Sequence, residues 1–274
     1  MTIGFLCGAV GISRQGYYKG HKARGRREID EEAIVELVKS ERRLQPEIGA
    51  RKLLTLFAGD LEEMGIRIGR DRFFEVLRVK GLLVAKKVRR GPQTTLSRHG
   101  FRTYENLLAG LVLTGPHQAW VSDITYVRTE EGFLYVFLIT DRWSRKIVGY
   151  EGAMTLEAEG GIRALSMALS QLPEGKRPIH HSDRGIQYCC WDYIEMLEGR
   201  ELPVSMTEHN HCYENGAAER VNGILKQEYG LGGVFQTRAQ ALCALKQGVW
   251  LYNTRRPHVS LGYRIPSEVH EAAA

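Results

Sequence analysis

Three acidic residues stand in distinctive short segments of the sequence and could together bind divalent cations. Asp123 lies in WVSDITY (120–126), Asp183 in HSDRG (181–185) and Glu219 in NGAAER (215–220). They are separated by 59 and then 35 residues, so only the fold could bring their carboxylates together. Oxygen ligands favour Mg²⁺ or Mn²⁺, and two such ions can activate a nucleophile and stabilise the leaving oxygen of a phosphodiester. The pattern predicts Asp123, Asp183 and Glu219 as catalytic, metal-binding residues of an enzyme that acts on phosphodiesters.

The residues after Glu219 predict a helix from 217 to 229 with one polar face. At 100° per residue its apolar residues share the face that would pack on a sheet. Glu219, Asn222 and Lys226 fall on the opposite face, which we expect to be open to a DNA backbone. Asn222 and Lys226 are therefore predicted DNA-binding residues.

The order of the surrounding elements predicts an α/β fold. Apolar segments at 120–127, 133–140 and 146–150 indicate a three-strand meander, followed by a helix, a strand at 178–182, a helix at 191–197, a strand at 203–206, the Glu219 helix and a last helix at 239–252. This order is that of a ribonuclease-H-like fold, a mixed five-stranded sheet flanked by helices. It places Asp123 within the first strand, Asp183 just beyond the fourth and Glu219 on a helix.

The front part of the chain is basic and predicts a DNA-binding unit. Residues 1–110 contain 22 Lys and Arg against 13 Asp and Glu, whereas residues 111–274 contain 16 against 19. We expect a helix that Asp30 caps, a second helix from Gly49 to Met64, and a third from Arg70 to Val79. This is the outline of a small all-α unit resembling a helix-turn-helix, with Arg70, Arg72 and Arg78 facing DNA. A plain three-helix bundle with a solvated basic face is the alternative.

A basic segment without acidic residues separates the two parts and predicts a linker that follows a phosphate backbone. Its proposed DNA contacts are Lys86, Lys87, Arg89 and Arg90. The predicted division is an N-terminal helical segment (1–28), the helix-turn-helix-like domain (29–85), the basic linker (86–112) and the catalytic core with its C-terminal helical tail (113–274).

The composition indicates a globular chain without membrane segments. Of its 274 residues, 43% are hydrophobic and 26% are charged, and no apolar run approaches the length of about 18 residues that crosses a membrane. The five cysteines include no Cys-x-x-Cys pair, and no signal peptide is recognisable, so we expect a cytoplasmic protein. A zinc site remains a weaker alternative, because its candidate ligands lack the usual spacing; they are His180, His181, His209, His211 and Cys212.

Four segments carry a resemblance to a known family. They resemble the second-frame product of the IS-three type of bacterial insertion sequences. The segments are WVSDITY (120–126), HSDRGIQY (181–188), CYEN (212–215) and the tail with Tyr252, Asn253, Arg256, Pro257, His258, Leu261 and Pro266. The resemblance covers about residues 30 to 270. It implies a transposase whose catalytic core is similar to that of retroviral integrases.

The resemblance also implies roles and partners. Asp123, Asp183 and Glu219 would form the acidic triad with two Mg²⁺ or Mn²⁺ ions, and Lys226 would contact the terminal DNA. A freed 3′-hydroxyl at one element end would attack near the other end, and a circular intermediate would later integrate into double-stranded target DNA. A homo-oligomer on DNA is expected. The active form could also be a fusion with an upstream-frame product, because that product's coiled coil is absent here.

Some residues depart from the family pattern and leave other functions open. TEHNH (207–211) stands where the loop before the glutamate is often basic, and Arg220-Val221-Asn222 stands where Ser-Phe-Phe is commoner. A structure-selective nuclease on the same fold and a non-catalytic DNA-binding regulator of transposition are the alternative functions.

Overall fold

The computed structural model describes residues 2–85, 100–208 and 214–273. They form two compact units, of which one contains residues up to 44 together with 48–85 and the other contains residues 45–47 and the rest of the chain. Four predicted DNA contacts of the linker, Lys86, Lys87, Arg89 and Arg90, lie outside the described residues.

The first unit is helical. Its elements are α1 (Ile3–Ala9), α2 (Arg14–Leu44), α3 (Ala50–Leu56), α4 (Ala58–Glu63) and α5 (Arg70–Val79). The core draws on apolar residues of α2 to α5 and the turns between them, including Ile34, Val38, Leu53, Phe57, Leu61, Phe73 and Leu77. Burial of these residues is the main force that holds the short helices together.

Two helix boundaries differ from the prediction. Asp30 does not cap a helix, because α2 runs without interruption from Arg14 and crosses the predicted boundary after residue 28. No proline interrupts this stretch, and the helix ends two residues before Pro46, which fits the restriction that proline places on the residue before it. The single helix expected from Gly49 is two helices, which meet at the buried Phe57.

A mixed sheet forms the centre of the second unit. The strands are β1 (Ala119–Thr129), β2 (Gly132–Asp141), β3 (Ile147–Ala153), β4 (Ile179–Ser182) and β5 (Val204–Met206), in the spatial order β3-β2-β1-β4-β5. The first three are antiparallel, β4 is parallel to β1, and β5 is parallel to β4. This confirms the predicted ribonuclease-H-like α/β fold. A two-residue strand that was not predicted, β6 (Val234–Phe235), pairs with the far end of β1.

Helices cover both faces of the sheet. They are α6 (Ala158–Ser170), α7 (Ile186–Cys189), α8 (Trp191–Glu198), α9 (Gly216–Glu228), α10 (Arg238–Thr254) and α11 (Pro266–Glu271), with a 3₁₀ turn at Val259–Leu261. Side chains alternate along β2, so Phe137 and Ile139 pack with α6 and α8 while Leu134, Val136 and Leu138 pack with α9 and α10. Both faces of β2 are therefore buried, as its continuous apolar sequence predicted. Among the described residues, no helix is long and apolar enough to cross a membrane.

Candidate active site

Parallel pairing of β1 and β4 brings Asp123 and Asp183 together. Val121 lies opposite His181 in this pair, and continuing the register places Asp183 level with Asp123. Both aspartates line one cavity of about 30 Å³. A space of this size is large enough to hold a water molecule. Two of the three predicted acids thus face a common small space.

A tight turn fixes Asp183 at the end of β4. The backbone N–H of Gly185 donates a hydrogen bond of 3.0 Å to Asp183 Oδ1. A Cβ atom at residue 185 would lie only 2.9 Å from that oxygen. Glycine therefore allows the close approach that holds the carboxylate in this position.

Glu219 lies in the first turn of α9, whose start is attached to β1. Buried Asn215 donates from Nδ2 to the carbonyl oxygen of Ser122, 2.9 Å away, and its own carbonyl oxygen accepts a hydrogen bond from the N–H of Glu219. The start of the helix is thereby tied to the strand residue beside Asp123. Asn215 belongs to the CYEN motif, but its type and spacing alone indicate no role.

The carboxylate of Asp123 is buried among other acids. Burial, together with the charges of Asp183 and Glu219, raises its pKa from 3.8 to about 7. Hydrogen bonds from the Asn222 side chain and the Ile124 N–H act in the opposite direction. The effect of Glu219 on this pKa connects the third acid to the site electrostatically. Among the described residues, however, no group of three His, Cys, Asp or Glu side chains could hold a metal ion as they stand.

Asn222 is buried, and the expectation of an exposed position was wrong. The residue is 6% exposed, and its Nδ2 donates a hydrogen bond of 2.8 Å to Asp123 Oδ2. The helical wheel placed it opposite the apolar face, but that side of α9 faces the carboxylate on β1. Its Oδ1 is buried and has no hydrogen-bond partner among the described residues.

Lys226 brings a positive charge to the same site. Its Nζ lies 4.3 Å from the centre of the Tyr126 ring, a cation–π contact. Burial lowers the pKa of Lys226, while the charge of Asp123 opposes that change. The predicted DNA-contacting lysine is therefore a half-buried cation in the field of the acids.

The histidines of β4 are structural in this arrangement. His180 Nε2 lies 2.7 Å from Ser122 Oγ and 2.8 Å from Tyr193 Oη, and His181 Nδ1 lies 2.8 Å from Ser205 Oγ. Burial lowers the pKa of His180 to about 3 and that of His181 to about 4, which keeps both rings neutral. The other residues of the zinc alternative, His209, His211 and Cys212, lie outside the described residues.

The C-terminal tail braces the helix of Glu219. Arg256, which is 2% exposed, donates from Nε and Nη2 to the two carboxylate oxygens of Glu228, at 2.8 and 2.9 Å, near the end of α9. The Asn253 side chain both donates to and accepts from the backbone of Ile147 at the start of β3, each bond 2.9 Å long. In the sequence both residues are recognisable only as parts of the tail motif. The structure gives them a positioning role.

The predicted DNA-contacting arginines of the first unit lie on α5 with exposed side chains. Each forms an ion pair with a neighbouring carboxylate: Arg70 with Asp71, Arg72 with Glu31, and Arg78 with Glu75. Exposed pairs of this kind are worth at most about 1 kcal/mol, so a phosphate could replace the carboxylate at little cost.

Comparisons with known proteins identify the family of this chain. Two family models described as "Integrase core domain" match residues 114–212 and 200–266. An uncharacterized 31 kDa protein of insertion element IS600 from Shigella sonnei is 36% identical over 270 residues, which are 97% of each chain. Transposase InsF for insertion sequence IS3A from Escherichia coli K12 is 31% identical over 246 residues, 86% of this chain and 82% of that one.

A solved structure, the catalytic core domain of HTLV-2 integrase in complex with magnesium, aligns with 57% of this chain and 97% of its own, at 17% identity and a TM-score of 0.45. The identity over nearly the full length of the insertion-sequence proteins decides the family. The chain belongs to the IS3-type family of insertion-sequence transposases with an integrase core domain.

Proposed function

We propose that this chain is a DNA transposase that cleaves and joins insertion-sequence ends by metal-dependent phosphodiester hydrolysis and transesterification. The observation that carries the proposal is the shared cavity of Asp123 and Asp183, with Glu219 in electrostatic range. Family membership supports the same activity.

The donor atoms at this cavity suit a divalent cation. Two carboxylates at contact distance repel each other by about 4 kcal/mol at an effective dielectric of 20, and a bound cation would reverse this cost. Asn222, whose Nδ2 donates to Asp123, has in addition a buried Oδ1 without a partner among the described residues. In our proposal Asp123, Asp183 and Glu219 hold two Mg²⁺ or Mn²⁺ ions, which would activate the nucleophile and stabilise the leaving oxygen.

The remaining side chains position the acids and the DNA. Asn222 fixes the orientation of Asp123 through its hydrogen bond, while Lys226 offers a positive charge to a DNA phosphate near the acids. Tyr126 restricts the lysine through the ring contact. This combination holds a phosphodiester next to carboxylates that would otherwise repel it.

The helical first unit and the linker would bind DNA. Arg70, Arg72 and Arg78 lie exposed on one helix, and we propose that they and the basic residues Lys86, Lys87, Arg89 and Arg90 contact terminal repeats. We also propose that the DNA-binding unit ends at residue 85 and the linker at residue 112.

We further propose that the chain assembles as a homo-oligomer on paired DNA ends and acts in the cytoplasm at the nucleoid. Fusion with an upstream-frame product is part of the same proposal.

The test is a strand-transfer assay with the full chain and duplexes of the terminal repeats that flank its gene. With Mg²⁺ or Mn²⁺ we expect cleaved and joined products, which sequencing of the junctions would identify. Asp183→Asn and Glu219→Gln should abolish both products and keep DNA binding. Asp192→Asn, which removes an exposed carboxylate on α8, is the matched control and should keep activity.

Other outcomes would favour the alternative functions. Hydrolysis without any joining would indicate a nuclease. Metal-independent binding without cleavage would indicate a regulator. Full strand transfer by Asp183→Asn would show that the acidic triad is wrongly assigned.

A further inference from the structure

A second and larger cavity lies beyond the start of β1. Its volume is about 680 Å³, and it shares no lining residue with the cavity of Asp123 and Asp183. Three arginines line it: Arg142 and Arg145 from the turn between β2 and β3, and Arg264 from the C-terminal tail. We call it the arginine cavity. Arg142 follows Asp141, which pairs with Trp120 of β1. Because Trp120 lies three residues before Asp123, the cavity begins roughly 10 Å along the strand from that acid.

The positive charge of the arginine cavity is not balanced. Its lining contains no carboxylate, and in the part of the chain that the structure describes none of the three arginines forms an ion pair. Nη1 of Arg142 and Nε of Arg145 are buried and have no hydrogen-bond partner there. A buried cationic donor without a partner is costly, so these groups favour an anionic ligand.

The carboxylate next to Arg142 in the chain, that of Asp141, acts on the charge of Arg145 but is hydrogen-bonded to other groups. Asp141 accepts hydrogen bonds from the backbone N–H groups of His117, Trp143 and Ser144 and from Ser144 Oγ. These bonds shape the turn that carries Arg142 and Arg145. Asp141 therefore holds the arginines in place and leaves the cavity cationic.

Arg145 is energetically unfavourable in two respects, its backbone conformation and its buried charge. Its φ of 65° lies in the left-handed region, where a residue with a Cβ is less stable than glycine by about 1–2 kcal/mol. Burial also lowers the pKa of its guanidinium group. Backbone strain and a desolvated charge at one residue are typical of a binding site.

A small hairpin in the tail supplies the third arginine. His258 and Arg264 pair as an isolated antiparallel bridge, and Gly262 and Tyr263 turn the chain with φ values of 63° and 67°. Arg264 Nε donates to the carbonyl oxygen of Leu261, which fixes the side chain at the cavity. Its exposed position makes the guanidinium group accessible to a large ligand.

We propose that the arginine cavity binds a phosphate group of the DNA backbone, as a second contact outside the acid site. One planar guanidinium group can donate two parallel hydrogen bonds to two oxygens of a phosphate, and three guanidinium groups line this open cavity. The inference rests on the proposed function, because it requires DNA as the partner. It deepens that function by placing one DNA strand across the start of β1 as well as at the acids.

Salt-dependent DNA binding tests the inference. The full chain would bind a fluorescent terminal-repeat duplex in EDTA, which prevents cleavage, and the dissociation constant would be measured at several salt concentrations. Arg142→Gln and Arg264→Gln should each weaken binding roughly tenfold and reduce the slope of log K against log salt by about 0.9, the loss of one phosphate contact. Arg200→Gln, an equal charge change at an exposed residue after α8, should leave the slope unchanged.

The outcomes separate the two proposals. If the wild-type chain binds and joins DNA but both cavity variants keep its slope and affinity, the arginine cavity is not a DNA site and the proposed function stands. If the wild-type chain neither binds nor joins DNA, both proposals are overturned. Should Arg142→Gln fail to fold, the exposed Arg264→Gln decides the question alone, with its thermal unfolding midpoint as the control.

Discussion

Replacement of Asp123 by asparagine should stabilise the metal-free protein, and more so at high pH. Burial and the neighbouring acids raise the pKa of this carboxyl from 3.8 to about 7. Between these values the side chain is ionised in the unfolded chain and protonated in the folded one. Protonation of this carboxyl therefore stabilises the folded chain. This stabilisation is complete below pH 3.8 and is lost as the pH rises to 7.

The size of the effect follows from the same pKa. Each pKa unit of difference between folded and unfolded chains is worth about 1.4 kcal/mol. From pH 5 to pH 8 the wild-type protein should lose about 3 kcal/mol through this group, because the protonation difference persists up to about pH 7. Asparagine does not titrate and can still accept the hydrogen bond of Asn222. The advantage of Asp123→Asn should therefore be about 3 kcal/mol larger at pH 8 than at pH 5.

Urea unfolding in EDTA at both pH values would measure this change, followed by the fluorescence of tryptophans such as the buried Trp120. The stability difference between variant and wild type is compared at pH 5 and pH 8, which removes any pH-independent effect of the substitution. Adding Mg²⁺ at pH 8 should stabilise the wild-type protein more than the variant, because the cation relieves the buried charges. A stability difference that is the same at pH 5 and pH 8 would refute the reasoning.

Two further substitutions probe the supports of the site. Arg256→Ala should cost about 3–5 kcal/mol in the free energy of unfolding, because it removes the cation of a nearly buried ion pair with Glu228. A loss below about 1 kcal/mol in urea unfolding would contradict a bracing role. Gly149→Ala should cost about 1–3 kcal/mol or more, since its Cβ would lie 2.2 Å from the carbonyl oxygen of Ala164 on α6. Gly216→Ala is the control, because a Cβ at residue 216 would meet no atom within 4 Å. Equal shifts of the thermal unfolding midpoint for both glycine variants would argue against the tight packing of α6 on β3.

The catalytic fold could be predicted because its elements are strongly patterned. The apolar run of β2 and the turns around it fix the meander, and the periodicity of α9 fixes its apolar face. Predictions in the first unit were poorer. The first half of α2 is mostly exposed and contains three glycines, so neither propensity nor an apolar face indicated that a helix would continue through it.

The sequence singled out Asp123 and Asp183, which line one cavity, but it did not indicate the side chains that hold them. Asn222 has the polarity of a surface residue, and only the tertiary fold shows that its amide is directed at Asp123. Arg256 and Glu228 are 28 residues apart along the chain, and no local pattern pairs them. Long-range partners of this kind depend on how helices cross the sheet, which periodicity alone does not determine.

The bracing of α9 by the tail also has a consequence for protein synthesis. A ribosome has translated all three acids by codon 219, but Arg256, whose side chain fastens the helix of Glu219, follows only at codon 256. A nascent chain would therefore contain the three predicted catalytic acids before Arg256 could hold the helix of Glu219 in place. A premature stop just before codon 256 would yield a polypeptide with every acid present, but without the ion pair that secures this helix.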